Sequence, residues 1–499
     1  MIEVKNEKIK AVLKEYKPVW AIAHAQKLMG WDAETYMPTA GFEDRGDAEG
    51  VLAGLSQKMM LSNSLRKKIA RATAEKLNAT EKGILRVLKR EISILDKLPS
   101  SFVERFAQIS SKARIYWRKA KQQNNFKLFQ RFLQEIVDMS IKKAEYLGEN
   151  KKPYNTLLDL YEEGLTMKKM DNIFSAIKTP LKNALKKAVN SKHFLKMHPL
   201  QKERYSKEKM NELNHKILDL FRFDQTRGRI DVSAHPFTEE ISMDDVRITT
   251  WFPAEDFERS LSATIHEFGH ALYEMQVSHL LRKTPAAGGV SMGIHESQSR
   301  FWENLIGRNK TFVKKNFGLF GQYLPFLKKY DANDVYRYFN NIVPSMIRVE
   351  ADEVTYNFHI MLRYEIEKGL LTGKIEVKDL PEIWNEKMQE YLGIVPKTDT
   401  EGVLQDIHWS MGSIGYFPTY TIGTVLASQI QHKMEKDTGK ISELIAKADY
   451  TPIQEWLKSN IHQYGSIYTP KDLIRKSLGG SIDATYFIKH IREKVKELY

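Results

Sequence analysis

Apolar residues three and four apart recur almost without interruption from Val4 to about Leu220, on charged segments with few glycines or prolines. This spacing predicts amphipathic α-helices. The stripe Ile84, Val87, Leu88, Ile92 and Leu95 is one such face, and its expected role is core packing. Pro38, Pro99, Pro153 and Pro199 punctuate the run and mark expected helix boundaries. From Arg229 to Phe252 the texture changes, and β-branched residues alternate in Asp245-Val246-Arg247-Ile248-Thr249-Thr250-Trp251, the best strand candidate in the chain. The helical pattern resumes at Pro253, broken by a glycine-rich loop (Gly288, Gly289, Gly293) and by the Gly/Pro/Tyr-rich stretch from Gly412 to Gly423. No internal repeat, low-complexity tract or flexible linker interrupts the sequence, so one large unit of packed lobes is expected.

Composition narrows the function. With 499 residues, 42% hydrophobic and 28% charged, the chain has the balance of a soluble globular enzyme. Cysteine is absent, which excludes thiolate ligands and a cysteine nucleophile, so any metal must be held by His and carboxylate. The first eight residues mix charges where a secretory peptide needs an apolar run, and no stretch of about 18 apolar residues occurs, so a cytoplasmic location away from membranes is expected. The formal charge of +14 suggests a nucleic-acid face, but Lys and Glu are interspersed. A solvated, heat-adapted surface is the preferred reading, with a basic nucleic-acid-binding scaffold as the remote alternative.

The chemistry lies in His266-Glu267-Phe268-Gly269-His270, an H-E-x-x-H sequence within a helical pattern. At about 3.6 residues per turn the two histidines lie one turn apart on one face and can aim two imidazole nitrogens at one ion. Glu267 lies beside that face, placed to take a proton from water held by the ion. Leu261 to Leu281 is apolar nearly all round, so this helix should be buried, Leu280 included. A catalytic zinc site needs a third protein ligand and an open fourth position. The candidate is Glu296, in the first turn of a helix that opens after the glycine loop and packs through Phe301, Trp302, Leu305 and Ile306. These motifs assign a mainly helical lobe to 1–230, a catalytic core with the metal site to 231–430 and C-terminal helices to 431–499.

The sequence also resembles the carboxypeptidase Taq family of thermostable metallocarboxypeptidases. The likeness runs from about Trp31 onward and is carried by His235-Pro236-Phe237, Asp245/Arg247/Thr249, the H-E-x-x-H and His295-Glu296-Ser297-Gln298 motifs, Ile347-Arg348 with Ala351-Asp352, Gly402/Gln405/Asp406/His408/Trp409 and Gly415 to Tyr420. It implies a mainly α fold, two-lobed around a deep groove with a small sheet beside the H-E-x-x-H helix, and a homodimer. The implied activity is broad-specificity removal of single C-terminal residues from peptides, using one Zn2+ or Co2+ per chain.

On that basis roles can be assigned. Tyr420 is the candidate donor to the developing oxyanion. Arg348 and His408 are candidates for the substrate's terminal carboxylate, with ion pairs to Asp352 and Asp406 as the structural alternative. Asp245 and Arg247 are expected to shape the site or bind peptide backbone, and an edge strand beside the metal helix can pair with an extended substrate. His235 is expected to orient a ligating imidazole. An oligopeptidase cutting inside short peptides is the alternative within enzymes.

Overall fold

The computed structural model describes residues 2–148 and 152–499. Among these, twenty α-helices and one three-stranded sheet are present, and the periodic first half is helical up to Leu220 as its spacing predicts. Pro99 precedes the helix Ser100–Gln122, Pro153 opens Pro153–Tyr161 and Pro199 opens a 3-10 turn, whereas Pro18 and Pro180 lie inside helices Glu7–Thr35 and Met167–Val189.

The chain folds into two compact units. The first is built from Met1–Asp96, Pro199–Phe339 and Ile430–Ser481. Its sheet has the order β1 (Gly228–Val232), β3 (Asp245–Thr250), β2 (Thr238–Ser242), with β1 parallel and β2 antiparallel to β3. The expected strand is thus the middle one, and the edge positions belong to β1 and β2. Against the sheet packs the metal helix, Phe257–Gln276, which is buried on nearly every side. It ends at Gln276, so Leu280 falls on a separate 3-10 turn and is 59% exposed, unlike the burial its apolar context suggested.

A second helix, Met292–Arg300, crosses the metal helix at very short range. A Cβ on Gly269 would lie 2.6 Å from the Gln298 carbonyl oxygen and 2.7 Å from Ser299 Cα. Glycine inside a helix costs about 1 kcal/mol against alanine, and here it permits the backbone approach that brings Glu296 to the histidines. Ser291 caps the second helix by accepting from the Ile294 amide, which places Glu296 in the second turn instead of the first. Beyond Arg300 the helix widens into a π-helical segment, Phe301–Gly307; such turns are frequent at functional sites. An aromatic cluster backs both helices, with Phe268 edge-on to Trp302 at 4.8 Å and Phe221 against each. From the third segment, His462 makes 2.8 Å hydrogen bonds to Gln276 and Gln298, one on each helix.

The second unit comprises Lys97–His198, Asn340–Gln429 and Ile482–Tyr499. Its central helix, Tyr356–Leu371, is also buried almost all round and carries the charged residues Arg363 and Glu367 inward. No helix among the described residues is long and apolar enough to cross a membrane.

Candidate metal centre and a buried arginine cluster

The first unit brings His266, His270 and Glu296 together, with one donor atom from each lying within 4.8 Å of the others. Glu296 Oε2 lies 3.7 Å from His266 Nε2 and 3.5 Å from His270 Nε2. Those gaps are too long for good hydrogen bonds. They are close to the separation of two ligands of one tetrahedral ion with bonds of about 2.0–2.2 Å, which sit roughly 3.3–3.6 Å apart. The donor set therefore fits a divalent cation.

The remaining nitrogen of each imidazole fixes its tautomer. Glu303 Oε2 lies 2.8 Å from His266 Nδ1. Burial raises the Glu303 pKa, but Arg300, Arg308 and His266 outweigh it and hold the carboxyl at about 2. An ionised carboxylate only accepts, so His266 Nδ1 donates, which in the neutral ring leaves the lone pair on Nε2. On the other ring, His270 Nδ1 lies 2.6 Å from His295 Nδ1, and His295 Nε2 lies 2.8 Å from Glu274 Oε1. Glu274 also accepts from the Gly289 amide at 2.9 Å. Burial pushes its carboxyl up, but these hydrogen bonds and the charge of Lys27 hold it below the ordinary value. The His295 tautomer that donates through Nε2 to Glu274 accepts at Nδ1 from His270, and so leaves His270 Nε2 bare. Burial together with the neighbouring histidines pushes the His270 pKa down to about 3, against the pull of Glu296. It stays neutral.

Glu267 is buried and accepts from Thr238 Oγ1 of β2 at 2.6 Å. Burial raises its pKa above the carboxylate norm, His266 and the Thr238 hydroxyl opposing. Arg300 binds Glu296 at 2.7 Å and Glu303 at 3.2 Å; Arg308 binds Glu258 at 2.9 Å and Glu303 at 3.0 Å. Three carboxylates, those of Glu258, Glu296 and Glu303, share two guanidiniums.

Asp245 and Arg247 share a face of β3 and pair with each other through two hydrogen bonds of 2.8 and 2.9 Å, the guanidinium lying 5.6 Å over the Trp31 ring. Two residues on, Thr249 Oγ1 accepts from Phe237 N and Ser233 Oγ, pinning the His235-Pro236-Phe237 turn. His235 itself is exposed. The imidazole-orienting positions expected of it are filled by Glu303 and His295.

In the second unit, Asp406 is shared by two arginines. Arg348 donates to its Oδ1 from Nε and Nη2 at 3.0 and 2.8 Å and to Tyr356 from Nη1 at 2.9 Å, and Arg363 donates to Oδ2 from Nε at 2.7 Å. Gln405 Oε1 joins the Arg348 amide to Arg363 Nη2. Of the two structural partners weighed for Arg348, Asp406 is the one used. Asp352 instead accepts from Val343, Val354 and Thr355. His408 Nε2 lies 3.1 Å from the Tyr420 hydroxyl, and the Arg348 guanidinium stacks 4.9 Å over the Tyr420 ring. So Arg348, His408 and Tyr420 are gathered into one cluster.

The profile of the carboxypeptidase Taq (M32) metallopeptidases matches residues 11–495. The chain belongs to that family. It is 47% identical over 98% of both chains to thermostable carboxypeptidase 1 of Pyrococcus furiosus, and 36% identical over 96% of both to carboxypeptidase 1 of Bacillus subtilis. Among solved structures, the Pyrococcus furiosus carboxypeptidase superposes with a TM-score of 0.96 at 46% identity, covering 99% of each chain. The M32 carboxypeptidase of Deinococcus radiodurans superposes at 0.95 with 30% identity, covering 99% of this chain and all of that one.

Within this M32 chain, sequence reading missed Glu303, His295, Glu274, Arg300 and Thr238. Glu303 and Arg300 carried a faint signal, seven and four residues beyond Glu296 and so near its face. Glu274 and Thr238 carried none, because their roles depend on the loop and strand that fold back onto the metal helix.

Proposed function

We propose that this protein is a metal-dependent carboxypeptidase that releases single residues from peptides with a free C-terminus and broad side-chain tolerance. His266, His270 and Glu296 are the metal donors and Glu267 the general base. The observation that carries this reading is three converging donors, two of them imidazoles whose bare nitrogens face the same point as the carboxylate. When bound there, a divalent ion supplies Lewis acidity and lowers the pKa of water toward about 7. Two histidines and one carboxylate are a catalytic zinc set, so zinc is the proposed metal, with cobalt as a replacement.

Glu267, held by Thr238 and made more basic by burial, takes the proton of the attacking water and returns it to the leaving amine. Tyr420 is assigned as donor to the oxyanion. His408 and Arg348 are assigned to the terminal carboxylate, and the surplus positive charge around Asp406 supports an anionic group there. Because the Arg348 fork is occupied, its part is electrostatic. Asp245, Arg247 and His235 are assigned to the peptide. The names of the Pyrococcus and Thermus relatives, both thermostable carboxypeptidase 1, support the heat-adapted reading of the surface.

The test uses one blocked peptide in two forms. The free acid is cleaved, a chelator stops the reaction and added Zn2+ restores it, and the C-terminal amide is not cleaved. Equal turnover of the amide would replace this reading with an oligopeptidase that cuts inside short peptides.

A further inference from the structure

We propose that His295 and Glu274 form a two-link relay that fixes the His270 imidazole toward the metal, and that the Gly288–Gly289 turn exists to make room for it. The relay rests on the assignment of His270 as a metal donor.

Both nitrogens of His295 are committed, Nδ1 to His270 at 2.6 Å and Nε2 to Glu274 at 2.8 Å. Although it is the residue before Glu296, His295 has both nitrogens engaged away from the donor set, so it is a positioning residue. Its ring is clamped: Tyr273 lies 5.2 Å away between centroids, and a Cβ at position 289 would come within 2.6 Å of His295 Cδ2 and 3.2 Å of Glu274 Oε1. Only glycine lets the 289 amide reach Glu274 while the ring keeps its place. The glycine loop that stood out in the sequence without a role thus has one.

The two ligating rings are supported unequally. His266 meets a carboxylate, Glu303, directly, whereas His270 meets a second ring, His295, with the carboxylate one link behind. A partner on the second nitrogen orients a ligating imidazole and makes it a better donor, and losing such partners weakens metal affinity by about 10- to 100-fold. Removing His295 should act at this scale through His270 alone.

The experiment measures Zn2+ affinity of the purified full-length protein by competition with a chromophoric chelator. It also records the visible spectrum of the Co2+-loaded form and the melting temperature of the metal-free form. Expected for His295→Leu is about 10- to 100-fold weaker Zn2+ binding and an altered Co2+ spectrum, with metal-free melting unchanged. In His295→Asn, where the amide oxygen replaces Nδ1 as acceptor, most of the affinity returns. Glu274→Gln, which keeps shape but loses charge, gives a few-fold loss, and Gly289→Ala follows His295→Leu. Wild-type affinity and spectrum in His295→Leu would overturn the relay, as would His295→Asn binding no better than the leucine variant. His270→Ala is the control: Zn2+ binding that survives it would remove the metal assignment itself, before the relay is reached.

Discussion

Around the metal donors, the carboxylates of Glu258, Glu296 and Glu303 share Arg300 and Arg308; around Asp406, one carboxylate faces Arg348 and Arg363. Both groups of charges are buried, where an unmatched charge is expensive. The first group holds more carboxylates than guanidiniums, and burial notwithstanding, Glu296 and Glu303 raise the His266 pKa. The second is rich in positive charge, and the arginines drive the Asp406 carboxyl far below its ordinary range against its burial. Carboxylates in excess suit a cation, and guanidiniums in excess suit the anionic group proposed for the second cluster.

Emptying the first group should have the largest effect. His266→Ala removes a donor and is expected to lose both metal and turnover, read by elemental analysis and peptide hydrolysis. Glu267→Gln separates the two: metal content stays at one per chain while kcat falls by about 10²–10⁴, and a normal rate would refute the base assignment. In the second group Asp406→Asn leaves two buried guanidiniums facing each other. It should destabilise by about 3–5 kcal/mol, the range for breaking a buried ion pair, measured by denaturant unfolding with the metal content unchanged.

The mildest probe is Glu367, whose buried carboxyl accepts from Tyr154, Trp409 and the Gly415 amide and is pushed up to about 7 by burial. A raised folded-state pKa means the native protein holds a proton that the unfolded chain gives up near 4.5. Stability from this group is therefore whole below pH 4.5, falls as pH rises toward 7 and is flat above. The loss is at most about 3 kcal/mol, and Glu367→Gln should remove that slope.

Helical periodicity and the alternation in Asp245–Thr250 were legible because they are local, and the H-E-x-x-H spacing was legible because one helical turn fixes it. Glu296 was reachable because the donor set lacked a third member and no cysteine was available. What stayed hidden depends on chain segments meeting from afar: Thr238 under Glu267, Glu274 behind His295, and Arg363 sharing Asp406 with Arg348. A side chain such as Glu274 reads as an ordinary helical acid until a loop amide and a ring arrive to bind it. The end of the metal helix was misjudged for the same reason, since apolar residues continue past Gln276 while the backbone turns away.

His462 braces the two crossing helices from a segment that lies far downstream of both. As the chain leaves the ribosome, the donors emerge well before this brace exists, so the two helices first meet without the link between Gln276 and Gln298. A product terminated before Ile461 should therefore bind the ion more weakly than the full-length chain.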